Sequence, residues 1–355
     1  MSYTYKDSKY CNTNSNLMKE FQTFSQQNDQ LHQHAVYKKF RQLVLQTKCF
    51  DKVSQVLVGL SGGVDSAVLV HALCEYEKKE NGPKVFALHI HHAQRGEESD
   101  RDESVARDVA ARAGCAFESV RLENIKVGAS ENELRELRHQ ALKDFAQKKS
   151  CERIALGHHM DDQVETFLFR LIRGADIKGL SSMKPFSDPF VRPLLECSRK
   201  EIENAAESAR IPFVHDSSNF SNAPARNYLR NIVIPALSSK LDPQVTQHIF
   251  DVVKSISDID AYIAIQATEM IEKVRVSDHS YSVPALQQVH PALRKKMIHL
   301  MYTYINKDKG SLSRDQIEMI DRWMETTQSP KFLLLPSNIR VEKKESVLTF
   351  TVADV

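Results

Sequence analysis

Apolar residues recur along this chain in two alternating rhythms. Four short apolar runs have the length of buried strands: Val56-Leu57-Val58-Gly59-Leu60, Val85-Phe86-Ala87-Leu88-His89-Ile90, Phe117 to Leu122, and Arg153-Ile154-Ala155-Leu156. Around them the period lengthens to that of helices. Val36, Phe40, Leu43 and Val44 precede the first run, and Ala67 to Cys74 follow it. Glu103 to Ala113 form the next helix, stopped by Gly114. Asn132 to Lys149 then place Leu134, Leu137, Ala141, Leu142 and Phe145 on one face. Strands alternating with helices predict an α/β fold built on a doubly wound parallel sheet. Further helices are expected behind Asp161, with a buried stripe of Val164, Phe167, Leu168, Leu171 and Ile172, and over Ser198 to Ala209. An extended Ile211-Pro212-Phe213-Val214 should follow.

The rhythm changes toward the C-terminus. Residues 243–327 read as mostly helical, and the stretch from Lys331 to Phe350 reads as short strands around Pro336-Ser337-Asn338. A chain of 355 residues exceeds one ordinary core. The expected division is a polar, disordered extension over 1–33, an α/β domain over 34–240, and a smaller, mostly helical domain over 241–355. Composition changes this picture little: 41% hydrophobic and 26% charged residues suit a soluble globular protein. No apolar run approaches the ~20 residues of a membrane span, and Met1 to Gln30 lack the apolar centre of a secretory signal. Cys11, Cys49, Cys74, Cys115, Cys151 and Cys197 are scattered, with no pair at metal-binding spacing, which points to a reducing, cytoplasmic setting. A net charge of +2 requires any nucleic-acid partner to be met by a local basic surface.

Candidate chemistry concentrates in two motifs. Ser61-Gly62-Gly63-Val64-Asp65-Ser66 joins the first strand to its helix. Paired glycines let the backbone turn tightly, and two serine hydroxyls with the N–H groups of a helix N-terminus make a phosphate cradle. Asp65 inside the loop is the natural ligand for a magnesium ion that offsets phosphate charge. The alternative is a glycine turn with a serine cap. The second motif, Gly157-His158-His159-Met160-Asp161-Asp162-Gln163-Val164-Glu165-Thr166, follows the fourth strand. Spacings of three and four residues put Glu165 on one helix face with Asp161 and Asp162. Such carboxylates complement a helix dipole, and a cluster of three also suits magnesium or an ammonium group. Magnesium prefers oxygen ligands, so His158 and His159 are expected to face a phosphate or a base. In a parallel sheet, ligands sit beyond the carboxyl ends of the strands; both motifs lie there, as do His89 to Arg95.

In chain order, these motifs are joined by LHIHHAQRGEESDRDE (88–103), ENELRELRH (131–139), LGHHMDDQVETFLFRLIRGADIKGLSSM (156–183), VRPLLECSRKEIE (191–203) and HDSSNFSNAPARNYLRNIVIPAL (215–237). The loop resembles that of the N-type ATP pyrophosphatases, with their adenine nucleotide alpha hydrolase-like fold. The full series over about residues 35–240 resembles the tRNA(Ile)-lysidine synthetase family, and LLLPSNIRVEKKESVLTF resembles the end of that family's central domain. The resemblance implies an ATP-dependent ligase acting on the wobble cytidine of an isoleucine tRNA with a CAU anticodon. ATP would adenylate the cytosine 2-oxygen, and the ε-amine of L-lysine would then displace AMP.

It further implies ATP at Ser61, Gly62, Gly63, Val64, Asp65, Ser66, His89 and His158, with Mg2+ at Asp65. Lysine falls to Asp162 and Glu165, and the α-phosphate or tRNA backbone to Arg226. Arg95, Arg135, Arg138 and Arg173 are the expected tRNA contacts, and residues 241–355 the tRNA-engaging domain. No membrane is expected as a partner, and the assembly would be a homodimer of a short form lacking the extra C-terminal domain of longer members. His91-His92-Ala93-Gln94-Arg95 stands where the family has Asn-His-Gly-Leu-Arg, and Arg138-His139 where it has Arg-Tyr. Two rivals remain at this level. A tRNA thiolase of the same superfamily would need paired cysteines or a cluster. A non-catalytic RNA-binding relative would have little use for the motif carboxylates.

Overall fold

The computed structural model of the chain describes residues 3–5, 31–91, 97–122, 131–214, 225–306, 310–326 and 332–353. Arg95, the Asp216 to Asn219 loop and most of the first thirty positions lie outside the described residues. The chain forms two compact units, one of residues 1–169 and 183–250 and the other of residues 170–182 and 251–355. The crossing thus falls later than position 240, and a short stretch after the second motif groups with the second unit.

In the first unit, β1 (Tyr3–Tyr5), β2 (Gln55–Gly59), β3 (Lys84–His91), β4 (Ala116–Leu122), β5 (Arg153–Ala155), β6 (Phe186–Ser187) and β7 (Phe190–Val191) make one sheet of order β1-β4-β3-β2-β5-β7-β6. The pairs β2–β3, β3–β4, β2–β5 and β5–β7 are parallel, and only the outer β1–β4 and β6–β7 pairs are antiparallel. Side chains alternate across it with period two. Val56 and Val58 join one core, while Leu57 faces the other. The first core is closed by α1 (Ala35–Thr47), α2 (Val64–Glu80) and α3 (Glu97–Ala113). On the opposite face Ala141, Leu142 and Phe145 of α4 (Glu131–Lys148) pack on Leu57, Leu88 and Ile154. This is the expected doubly wound arrangement, with helices on both faces of a mostly parallel sheet.

α5 (Met160–Ile172) carries the second motif, and α6 (Arg199–Ser208) opens on a capping box in which Ser198 and Glu201 satisfy each other's backbone N–H groups. The expected apolar stripe on α5 holds for Val164 and Phe167 but fails at its end. Leu171 is 48% and Ile172 73% exposed, and the last turn of α5 groups with the second unit. Ile211 to Val214 adopt no strand; instead the Val214 N–H donates to the Gly62 carbonyl, 3.0 Å away. α7 (Ala225–Tyr228) and α8 (Ile234–Lys240) flank a π-helical turn, Leu229–Val233.

The second unit contains α9 (Val245–Val274, its first residues shared with the first unit), α10 (Val283–Gln287), α11 (Pro291–Asn306) and α12 (Arg314–Glu325). Its sheet has the order β10-β11-β12-β9-β8, from β8 (Arg275–Ser277), β9 (Ser280–Ser282), β10 (Phe332–Leu335), β11 (Ile339–Lys344) and β12 (Val347–Val352). The β8–β9 hairpin interrupts the stretch expected to be helical. Three-residue strands are too short to show a period, and β9 is held by its pairing with β12, far along the chain. No helix among the described residues is long and apolar enough to cross a membrane.

Phe145 is 1% exposed and its ring lies 5.5 Å from that of Phe86 between α4 and the sheet. Phe145→Ala should lower the stability of the first unit by about 3–5 kcal/mol, seen as an earlier midpoint in urea denaturation.

Candidate active site

The two motifs meet because β2 and β5 are parallel neighbours in register, Val56 opposite Arg153 and Val58 opposite Ala155. The chain winds outward from β2 through β3 and β4, then returns to the other side of β2. The carboxyl edge at that reversal is where doubly wound sheets open a crevice. Glycine is needed twice there. Gly62 has φ +92°, and a Cβ on it would stand 3.0 Å from the Asp102 carbonyl oxygen. A Cβ on Gly157 would press within 3.1 Å of the Asp65 and Ser66 backbone.

Within the loop, the hydroxyls of Ser61 and Ser66 lie 3.1 Å apart. Ser66 Oγ accepts from the Ser61 N–H and donates to the Gly63 carbonyl. Gly63 caps α2 without a side-chain hydrogen bond, and Val64, Asp65 and Ser66 form the first turn, whose N–H groups have no intrahelical acceptor. These groups compose an anion cradle. Asp65 leaves the cradle sideways: its Oδ2 accepts from Arg199 Nη1 at 2.6 Å, and its Oδ1 is buried with no hydrogen-bond partner among the described residues. Burial pushes the Asp65 carboxyl upward, against His159 and Arg199.

At the start of α5 the carboxylates take separate tasks. Asp161 accepts the Arg199 N–H at 2.7 Å. Asp162 accepts the His159 N–H through Oδ2 at 3.0 Å, half of a capping box, while its Oδ1 lies 3.2 Å from Arg230 Nη2. Glu165, only 4% exposed, holds Arg230 with both oxygens, Nη2 to Oε2 at 2.8 Å and Nε to Oε1. The predicted shared face therefore holds for Asp162 and Glu165, whereas Asp161 turns to α6. Glu165 is pushed up by burial, with Arg230 offsetting part of it; desolvation also pushes half-buried Asp162 upward, yet His159, His158, a backbone N–H and Arg230 carry it below its usual range.

Adjacent histidines go opposite ways. Burial opposes charge on His159, but Asp162, Asp161 and Asp65 around it raise its pKa to about 9, so it is a cation. Burial drives His158 down to about 3 despite Asp162, with Arg192 and Arg135 adding to the shift. Its Nδ1 is buried without a hydrogen-bond partner among the described residues. His89 is also held neutral by burial, its Nδ1 2.9 Å from the Leu60 carbonyl. Neutral imidazoles beside a phosphate cradle can meet a base.

Three cations (His159, Arg199, Arg230) thus face four carboxylates (Asp65, Asp161, Asp162, Glu165). The cluster is close to neutral before any substrate arrives. For magnesium, the fitting atom is Asp65 Oδ1, which is buried, makes no hydrogen bond among the described residues and has His159 Nε2 3.7 Å away. Among the described residues no group of three His, Cys, Asp or Glu side chains could hold a metal. Magnesium asks for less, one or two carboxylates with substrate phosphates and water completing its shell, so Asp65 fits.

The remaining predicted residues lie outside this cluster. Arg226 sits with its guanidinium 5.5 Å from the Phe169 ring centre, and Arg230, one turn on, meets the carboxylates instead. Arg135 is half-buried, Arg138 and Arg173 are exposed, and Arg173 falls in the second unit. Sequence reasoning did not assign Arg199 or Arg230 and left His159 without a charge state. One signal was present for Arg199. It is the first residue of α6, where the helix dipole repels a cation, so an anionic partner had to be near.

A family model described as the PP-loop domain matches residues 32–237. The chain is 31% identical over 317 residues to a tRNA(Ile)-lysidine synthase of Bacillus thuringiensis, covering 84% of this chain and 65% of that one. It is 30% identical over 335 residues to a tRNA(Ile)-lysidine synthase of Geobacter sulfurreducens, covering 90% and 70%. The chain thus spans somewhat less than two thirds of the length of the Bacillus relative. Among solved structures, the U34-tRNA thiolase NcsA from Methanococcus maripaludis superposes with a TM-score of 0.52 at 20% identity, over 63% of this chain and 78% of that one. This last likeness concerns the fold alone.

Gly157→Ala should push the Asp65–Ser66 backbone out of place. Overpacking of this kind costs about 1–3 kcal/mol, so affinity for a fluorescent ATP analogue should fall roughly ten- to hundredfold. Unchanged affinity would show that the cradle tolerates the shift.

Proposed function

The chain belongs to the PP-loop family and, within it, to the tRNA(Ile)-lysidine synthases; from that premise we propose that it joins L-lysine to C2 of the wobble cytidine, position 34, of an isoleucine tRNA with a CAU anticodon. The observation that carries the reading is a pair of carboxylates, half-buried Asp162 and buried Glu165, of which Asp162 is joined through His159 to the carboxylate of a phosphate cradle. A cation pocket beside a phosphate site suits a reaction that brings an amine to an adenylated substrate.

The chemistry follows from the leaving groups. A cytosine 2-oxygen leaves poorly until the α-phosphate of ATP is transferred to it, with pyrophosphate departing. Ser61, Gly62, Gly63, Val64 and Ser66 would hold the β- and γ-phosphates through hydroxyls and α2 N–H groups. Asp65 would hold magnesium, which supplies charge compensation for those phosphates. His89 and His158, both neutral, would line the nucleotide, and Arg226 would reach the α-phosphate or the tRNA backbone. Lysine enters as a cation and must attack as a free amine. Asp162 and Glu165 would bind its ε-ammonium, and Glu165, whose carboxylate burial makes more basic, would take up a proton as the C–N bond forms and AMP leaves. Arg95, Arg135, Arg138 and Arg173 would carry tRNA phosphates, with residues 241–355 adding surface, so binding should weaken steeply with salt.

The direct test incubates the protein with ATP, labelled lysine and unmodified isoleucine tRNA bearing CAU. Label should enter the RNA with release of AMP and pyrophosphate; lysine-independent ATP cleavage with no label in RNA would overturn the assignment. Asp162→Asn and Glu165→Gln, which keep shape but remove charge, should raise the KM for lysine well above any change in the KM for ATP. Adenylated tRNA should then accumulate at limiting lysine. Failure of adenylation itself would move these carboxylates to the magnesium. Asp65→Ala should abolish pyrophosphate release, measured by a coupled phosphate assay.

A further inference from the structure

Both oxygens of Glu165 and one of Asp162 accept from the Arg230 guanidinium, and the second Asp162 oxygen caps α5. An ammonium group entering between these two carboxylates would therefore compete with Arg230 for them. Arg230 comes from elsewhere in the chain, 65 positions beyond Glu165, and matches what a cationic substrate would offer: a positive group, several N–H donors and a bidentate grip. We infer that Arg230 is a resident stand-in for the ε-ammonium of lysine, a positioning residue that keeps Asp162 and Glu165 paired until substrate displaces it. The inference rests on the lysine-pocket reading above and adds a competitor to it.

Two further observations point the same way. The first is the charge balance: with Arg230 in place the cluster is near neutrality, and bringing in lysine without removing a cation would unbalance it. The second is the backbone that presents Arg230. It lies on the π-helical turn Leu229–Val233, where the Ile234 N–H reaches back to the Leu229 carbonyl rather than to Arg230. Pro235 follows at once; it has no N–H to give and its ring crowds the carbonyl four residues earlier. Single π turns of this kind are characteristic of functional sites. Shifting such a turn by one residue rotates what precedes it by roughly 100° about the helix axis. That rotation would carry Arg230 off the carboxylates while leaving α8 in place.

A permanent structural pair and a stand-in differ in what removal of the arginine does to lysine. Equilibrium dialysis with labelled lysine, on the full chain without tRNA, separates them. Arg230→Gln should bind lysine at least about tenfold more tightly than wild type, Arg230→Lys should stay near wild type, and the double variant Arg230→Gln/Glu165→Gln should lose the gain. Arg230→Gln that binds no tighter than wild type, undetectable binding included, overturns the stand-in. If Glu165→Gln alone abolishes lysine binding in that case, the lysine pocket survives it. If the double variant binds lysine as well as Arg230→Gln does, the pocket itself is wrong and the stand-in falls with it. A second measurement needs no variant that could misfold: the Arg230 Nε–H resonance of wild-type protein, protected in the free chain, should shift and exchange faster as lysine saturates. A resonance that stays protected at saturation also overturns the proposal.

Discussion

Everything at the site depends on one pairing, that of β2 with β5. Three residue pairs, Val56 with Arg153, Leu57 with Ile154 and Val58 with Ala155, set the loop after Gly59 beside the helix after Gly157. The approach is so close that no Cβ fits at Gly157 without moving Asp65. Because parallel strands point their carboxyl ends the same way, the pairing delivers two helix N-termini to one edge of the sheet. Two converging helix N-termini make a positive field, which favours phosphate on one side and explains why carboxylates collect on the other.

That field also accounts for the division of labour among the acidic residues. Asp161 and Asp162, in the first turn of α5, could each be explained by the dipole alone, and Glu165 follows in the next turn. Their partners separate them: Asp161 ties α5 to the start of α6, Asp162 caps α5 and reaches Arg230, and Glu165 is committed to Arg230. His159 sits between the motif carboxylates and Asp65 and is charged for that reason, while burial keeps its neighbour His158 neutral, with the charges of Arg192 and Arg135 adding to the effect. Capping and function are not alternatives here, since one side chain has two oxygens and uses them for different things.

Two arginines balance the acidic residues of the site. Arg199 covers one oxygen of Asp65, and Arg230 covers Glu165. Carboxylates taken out of water without such partners would be costly. Arginine suits this duty because it is always charged and binds in two-pronged fashion. The cost falls on the helices: Arg199 starts α6 against its dipole, and Arg230 rides on a π turn.

How much of this was legible in the sequence follows from range. The strand runs, the helical faces, the Gly62–Gly63 loop and the Asp162–Glu165 face are set by side chains within a turn or a strand of each other, and they appear in the structure where periodicity put them, except for the end of the α5 stripe and for Asp161. Local pattern also named the two motifs and placed them at one sheet edge. What it could not supply were interactions whose partners are distant in the chain. Arg199 lies 134 positions from Asp65 and Arg230 lies 65 from Glu165, and no spacing rule joins them. Arg226 was the expected residue of its helix, for a phosphate, and lies over the Phe169 ring, whereas Arg230, on the π turn, meets the carboxylates that the sequence had left without a protein partner. The exposed end of the α5 stripe and the β8–β9 hairpin have the same origin, since packing and strand pairing, not propensity, decide such short segments. The charge states of His158 and His159 belong to the tertiary structure entirely. Two adjacent, chemically identical side chains titrate far apart because burial opposes charge on both, and only His159 is surrounded by carboxylates that outweigh it.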